Sequence, residues 1–290
     1  LYPISIRDMV KSRLDDTEKF LYQLVDGNLI EGVLMRYHHG NSLCVSTQVG
    51  CRMGCAFCAS TLDGCVRDLT AGEMLGQVIT ANRHLGDERV GNVVLMGSGE
   101  PLDNYQNTVK FLRMVSDERG LNLSLRGISL STCGIVPGMR RLAEEGLPVT
   151  LCLSLHAPND ELRGRLLPIN HRYPIAEVMA ALQEYILRTH RRVTIEYAMM
   201  DGLNDLPELA AELAALLRPL RSPTGGAMCH VNLIPLNPVA ESPYQPSTAA
   251  NAAAFQRILE RTGIPATMRL RRGIDIDAGC GQLRRRVTKT

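Results

Sequence analysis

Cys44-Val-Ser-Thr-Gln-Val-Gly-Cys51-Arg-Met-Gly-Cys55-Ala-Phe-Cys58 gathers four of the nine cysteines into fifteen residues. Cys51, Cys55 and Cys58 stand in C-x3-C-x2-C spacing, so one tight loop can wrap its thiolates around a compact inorganic centre. A [4Fe–4S] cluster normally takes four thiolates, and three leave one iron open to a ligand other than protein. A zinc knot is the rival reading. It needs a fourth ligand, which Cys44 or Cys65 would supply. Zinc loops favour paired C-x2-C units, and none is repeated downstream.

The 290 residues, 45% of them apolar, suffice for one sizeable core or a core with a small appendage. No run of eighteen apolar residues and no charged-then-apolar leader occurs, so neither a membrane span nor a secretory signal is expected. The chain opens on Leu1 rather than Met, which implies missing upstream sequence. Nine cysteines, an odd number, fit a reducing compartment better than a disulfide scaffold, and the expected location is cytoplasmic. Net charge is +2 but uneven: residues 266–290 hold seven basic residues against Asp275 and Asp277. A solvated tail and a phosphate-contacting patch both explain such a run. Cys280 lies between its arginine clusters.

Segments 19–25, 29–37 and 42–47 read as three strands joined by Asp26-Gly27-Asn28 and His38-His39-Gly40-Asn41, a β-meander leading into the cysteine loop. His38 and His39 are expected to be exposed. Thr70-Ala-Gly-Glu73 is a capping box opening a helix with Met74, Leu75, Val78 and Ile79 on one face. Strands are then predicted at 92–96, 128–131, 149–155, 193–199 and 229–234. Helices alternate with them at 104–116, 137–145, 175–187, 207–217 and 248–261, the last with Ser247 as N-cap and Gly263 as C-cap. Six β-then-α units imply a parallel sheet with helices outside, doubly wound or curled into a barrel. Ligands gather at the carboxyl ends of such strands. That rule selects the cysteine loop, residues 97–101, 131–134 and 154–156, Asp201-Gly202 and residues 235–237.

These residues resemble the radical S-adenosylmethionine (SAM) enzymes, and among them the RNA adenine methyltransferases of the RlmN type, from about Glu31 to Leu283. The resemblance rests on the cysteine stretch, on Gly99-Glu100-Pro101-Leu102, Leu130-Ser131-Thr132 and Ser154-Leu155-His156-Ala157, and on Asn232-Leu-Ile-Pro-Leu-Asn237-Pro. It rests also on Gly273-Ile-Asp275-Ile-Asp277-Ala-Gly-Cys280-Gly-Gln-Leu, and Cys44 placed seven before Cys51 adds to its specificity. Two departures stand out: Ser98 where similar proteins have methionine, and little of their helical N-terminal domain.

The resemblance implies an α/β fold, a partial (β/α)6 TIM-like barrel of the radical SAM type with a small N-terminal β extension. Residues 1–40 would form the extension, 41–265 the core and 266–290 a basic C-terminal segment. It implies a [4Fe–4S] cluster on Cys51, Cys55 and Cys58, and SAM as cofactor, two molecules per turnover. Gly99, Glu100, Ser131, Ser154, Leu155, His156 and Asn237 would hold SAM. Cys280 would carry a methyl group, Glu31 would accept a proton and Cys44 would release the product, leaving a Cys44–Cys280 disulfide to be reduced. The implied substrates are adenine C2 of 23S ribosomal RNA and of transfer RNA. The implied partner is an external electron donor such as flavodoxin, with no membrane association and a monomer as the working unit.

Each residue has a plainer reading. Glu31 alone would be a solvent-facing strand carboxylate. Glu100 could cap the following helix, and Ser131, Ser154 and Asn237 could satisfy strand-end backbone. His156 could be a core histidine and Phe57 packing. Cys65, Cys133, Cys152 and Cys229 read as small buried apolar residues. The related C8-directed (Cfr-like) branch is the enzyme alternative, although Ala59-Ser60-Thr61 and residues 64–68 look more like the C2 branch. An iron–sulfur or zinc RNA-binding module is the non-enzyme alternative, and it would have no use for Glu31, Cys44 and Cys280.

Overall fold

A carboxylate brace and a short turn shape the first part of the chain. The Asn28 amide donates to Asp26 Oδ1 at 3.0 Å and turns the chain within three residues. The computed structural model describes residues 4–222, 224–239 and 241–276, which fall into two compact units. The first unit comprises residues 4–54, 58–131 and 271–276, the second residues 55–57 and 132–270.

In the first unit β1 (Ile4–Lys11), β2 (Glu18–Leu24), β3 (Leu29–Tyr37) and β4 (Gly40–Cys44) pair successively as antiparallel neighbours. The sequence predicts only the last three. β1 is largely exposed and its register breaks between Ile6 and Asp8, so it shows no alternation to read. The strand predicted over 42–47 ends at Cys44, because residues 45–47 leave the ladder to meet a turn described below. Two short strands, β5 (Gln48–Gly50) and β6 (Cys65–Asp68), then pair antiparallel on either side of the cysteine loop. Helix α1 (Ala71–Leu85) starts on the predicted capping box: Glu73 N donates to Thr70 Oγ1 at 3.1 Å and Thr70 N to Glu73 Oε2 at 2.8 Å. Its buried face carries Met74, Val78 and Ala81. β7 (Val90–Leu95) pairs parallel with β4, α2 (Tyr105–Val115) follows, and β8 (Ile128–Thr132) pairs parallel with β7.

The second unit runs α3 (Val136–Glu144), β9 (Thr150–Ser154), α4 (Asp160–Leu166), α5 (Ile175–Thr189), β10 (Val193–Met199), α6 (Pro207–Leu217), β11 (Cys229–Pro235), α7 (Ala249–Arg261) and β12 (Ala266–Met268). Strands β9, β10, β11 and β12 are parallel in that order. Leu151, Leu153, Ile195, Tyr197, Val231 and Leu233 are fully buried, as expected of parallel strands whose side chains have no solvated face. Two elements escape the sequence pattern. α4 has seven residues, three of them charged at its start and centre, and its Arg163 is buried where an apolar residue would be read. β12 has three residues, too few for a periodic signal. The N-cap of α7 is Thr248 rather than Ser247, since the Thr248 side chain accepts from Asn251 N. Its C-cap is Thr262, with Gly263 one residue beyond. No helix among the described residues is long and apolar enough to cross a membrane.

Replacing Thr70 with Ala removes the acceptor for Glu73 N while leaving the Arg67–Glu73 ion pair. The expected loss is about 1 kcal/mol, read as a fall of roughly 2 °C in thermal midpoint.

Candidate active site

The cysteine loop is held at its base. Cys51 N donates to Gly64 O at 2.9 Å. Gly50, at φ +83°, brings its α-carbon so close to that carbonyl that a β-carbon would lie 2.1 Å from Gly64 O. No side chain fits there. Within this unit Cys51 is buried, and its thiol is pushed up to about 12, first by burial and then by neighbouring Cys58, Glu100 and Cys65. Cys58 O accepts from Thr61 Oγ1 at 2.9 Å at the start of a short 3-10 turn. Cys65, expected to be buried, is half-exposed and accepts from Arg52 Nη2 at 3.5 Å. Among the described residues no three His, Cys, Asp or Glu side chains form a ready-made metal cage.

Residues 46–48 interlock with the turn after β7. Thr47 N and Gln48 N donate to Ser98 O at 2.8 and 3.0 Å, and Glu100 N donates to Gln48 Oε1 at 2.9 Å. A β-carbon on Gly99, whose φ is +110°, would sit 2.6 Å from Gln48 N. Ser46, fully buried, is the hub. Its hydroxyl donates to Glu31 O at 2.7 Å and accepts from Ser98 N at 3.0 Å, while its backbone pairs in both directions with the Gln77 side chain of α1. Glu100 is buried, and one oxygen accepts from Leu102 N at 3.0 Å; it does not cap the following helix, whose N-cap is Asn104 without a side-chain cap bond. Ser98, the departure from the family pattern, meets Ser60 Oγ at 3.1 Å.

Glu31 is not solvent-facing. Its side chain is 4% exposed and its Oε2 lies 3.0 Å from Nζ of Lys19, which is 0% exposed. Register places Lys19 opposite Val33, Leu21 opposite Glu31, and Val33 opposite Cys44. Opposed residues share a face of an antiparallel pair, and so do alternate residues along a strand. Lys19, Glu31 and Cys44 therefore project from one face of β2, β3 and β4. Lys19 is missed by sequence reasoning; the available sign is a charge beside Phe20-Leu21-Tyr22 in a strand that is otherwise buried.

Ser131, half-buried near the end of β8, alternates with the core residues Ile128, Leu130 and Thr132. In the second unit Ser154 ends β9 and stands opposite Glu196, which stands opposite Asn232. Asn232 Nδ2 donates to Glu196 Oε1 at 3.0 Å. Burial pushes the Glu196 carboxyl up, against the opposing pull of Asn232 and Arg269. This polar row across three parallel strands adds Glu196 and Asn232 to the residues chosen from sequence, and a lone carboxylate inside an apolar strand is its only sign. Leu155 is fully buried, its N–H donating to Glu196 O at 3.1 Å. His156 is buried with φ +59°, Nδ1 accepting from Ala198 N at 2.9 Å, and its ring meets Phe57 edge-on at 4.9 Å. Asn237 is exposed two residues beyond β11. Cys55 is half-buried, and the adjacent Ala56 N donates to Leu166 O at 2.9 Å.

Cys280 lies outside the described residues, as do Asp277, Arg284, Arg285, Arg286 and Lys289 and any pairing of Cys280 with Cys44. The segment before it is anchored in the first unit. Gly273 N donates to Asp15 Oδ2 at 2.8 Å, and Asp275 accepts from Ser12 Oγ at 2.7 Å and Arg13 N at 2.8 Å. Arg272 lies over the Tyr37 ring, 4.3 Å from its centre, so this member of the basic cluster has a structural job.

The sequence signature of the radical SAM superfamily matches residues 45–214, and the chain belongs to that class. The chain is 52% identical over 287 residues to a probable dual-specificity RNA methyltransferase RlmN of Lachnoclostridium phytofermentans, covering 98% of this chain and 78% of the relative. It is 55% identical over 279 residues to the same-named protein of Symbiobacterium thermophilum, covering 96% and 73%. The crystal structure of a radical SAM methyltransferase from Sphaerobacter thermophilus superposes with a TM-score of 0.92 at 47% identity, over 97% of this chain and 81% of that one. The chain is accordingly a member of the RlmN dual-specificity RNA methyltransferase family, and its α/β fold is the radical SAM fold.

Gly99→Ala is expected to force residues 97–100 away from residues 46–48, where its β-carbon would lie 2.6 Å from Gln48 N, and to cost roughly 1–3 kcal/mol of stability; urea unfolding measures it. His156 gives an acid signature. Burial, and then Arg163, hold its imidazole down at about 3, against 6.5 when unfolded. The stability tied to neutral His156 is present above pH 6.5 and is lost as pH falls towards 3, at roughly 1.4 kcal/mol per pH unit. Urea unfolding of His156→Gln across that window should show a shallower acid slope than the parent chain.

Proposed function

We propose that this protein methylates C2 of adenine in RNA, in 23S ribosomal RNA and in transfer RNA, by radical SAM chemistry. The observation that carries the reading is the shared face of Glu31 and Cys44 on β3 and β4. A cluster-bearing RNA-binding module has no use for a buried carboxylate and a thiol aimed the same way, whereas a route through a protein-bound carbon needs both.

The residues suit the cofactors. Cys51 and Cys58 are soft donors, Cys58 lies close enough to oppose ionisation of Cys51, and a cationic iron centre would relieve that opposition. The buried Glu100 carboxylate suits an amino group, and it stands in a turn that Gly99 allows to seat against Thr47 and Gln48. Cys51, Cys55 and Cys58 would hold the [4Fe–4S] cluster; Glu100, Ser131, Ser154 and Asn237 would bind SAM with Gly99, Leu155 and His156 shaping the site. When bound, cluster and SAM supply a 5′-deoxyadenosyl radical, the reagent that an electron-poor carbon between two ring nitrogens requires.

The chain's own residues do the rest. Cys280 carries the carbon as an S-methyl group and becomes linked through it to the adenine ring. Glu31 accepts the proton leaving that ring carbon. Cys44, as a thiolate, attacks the Cys280 sulfur: the sulfur–sulfur bond forms as the carbon–sulfur bond breaks, the electron pair passes to the ring-borne methylene carbon, and that carbon takes a proton to become the methyl group. Thiol exchange then reduces the Cys44–Cys280 disulfide before the next turnover, while an external donor such as flavodoxin would supply the electron for radical formation. Cysteines used in this way, in a chain with an odd total of nine, suit a reducing cytoplasm. RNA incubated with the reduced, cluster-loaded protein and SAM, then digested to nucleosides, should yield 2-methyladenosine. Only 8-methyladenosine would assign the chain to the C8-directed alternative, and Cys55→Ala should give neither.

A further inference from the structure

We infer that Lys19 is a positioning residue for the Glu31 carboxylate, an assignment that rests on the proton-acceptor role proposed above. Lys19 is wholly buried, and lysine is seldom so unless paired. Its ammonium meets Glu31 Oε2 at 3.0 Å, fixing the side chain, while Ser46 Oγ donates to Glu31 O at 2.7 Å, fixing the backbone. The acceptor is thus held at both ends on the face it shares with Cys44. A buried ion pair of this kind rarely stabilises a fold more than well-packed apolar side chains of the same volume. Its presence at this place calls for a role in the reaction. Water is excluded here, so the ammonium supplies the counter-charge that solvent would otherwise give an ionised acceptor. Once Glu31 has taken a proton its attraction to the ammonium is lost, which favours proton release and resets the site for the next substrate.

The test uses full-length, cluster-loaded protein with SAM, dithionite and a ribosomal RNA fragment. It measures 5′-deoxyadenosine, methylated adenosine and protein-linked RNA for Lys19→Met, Lys19→Arg and Glu31→Gln. Both Lys19 variants should still cleave SAM but accumulate linked RNA. The ratio of linked RNA to methylated adenosine should rise roughly 10²-fold in Lys19→Met, the scale of a disabled general base, and by less in Lys19→Arg. A merely structural role would lower SAM cleavage and methylation together, and a parental ratio in either variant overturns the proposal. If Glu31→Gln also keeps the parental ratio, it is the acceptor reading that fails. If Glu31→Gln alone raises it, only the Lys19 assignment does. Cluster-free protein gives an independent readout: Lys19→Met/Glu31→Gln should melt above Lys19→Met, because the carboxylate charge that Lys19 balances is removed with it. Strictly additive losses in midpoint would overturn the pairing. Should Lys19→Met fail to fold, Lys19→Arg decides by the same ratio.

Discussion

Ser46, whose hydroxyl has one proton to give and lone pairs to receive, joins three parts of the first unit that the chain meets far apart. It donates to the backbone of β3 at Glu31 and accepts from the turn that carries Gly99 and Glu100, while Gln77 of α1 clamps its own peptide. All of these groups are buried, so losing one partner would leave others unsatisfied at about 1–3 kcal/mol each. The β3 backbone at Glu31, the turn that carries Gly99 and Glu100 and the helix after the cysteine loop are therefore fixed relative to one another through a single residue. The close approach of Gly97 to Ser46 and of Gly99 to Gln48 is the steric counterpart of the same constraint.

Much of this architecture could be read from residue order alone. The capping box at Thr70 and Glu73, the apolar runs of β10 and β11, and the turn at Asp26-Gly27-Asn28 each act locally, within a few residues, and each appears where the pattern puts it. The cysteine spacing is likewise a local signal. By itself it leaves an iron–sulfur cluster and a zinc knot both open, and the family resemblance favours the first.

What escaped is non-local. Lys19 reads as an ordinary strand-edge charge until β2 pairs with β3 and brings Glu31 within 3.0 Å. Glu196 and Asn232 are 36 residues apart and meet only through parallel register. Arg163 disguised α4 for the same reason: its guanidinium is buried because Asn170 Oδ1 and Cys133 O accept from it, at 2.7 and 2.6 Å. Buried charge breaks the apolar periodicity on which helix and strand prediction depends, and it is found where the molecule does something besides fold.

The two-stranded clasp of β5 and β6 has a thermodynamic corollary. Bringing the ends of a flexible loop together costs entropy that grows slowly with its length, and for the segment between Gly50 and Cys65 that cost is met by three backbone-paired positions and the Gly50–Gly64 contact. Ordering residues 51–64 concerns only the interior of a loop whose ends are already tied. A disturbance of that interior leaves the frame standing, instead of a chain that must find its closure again.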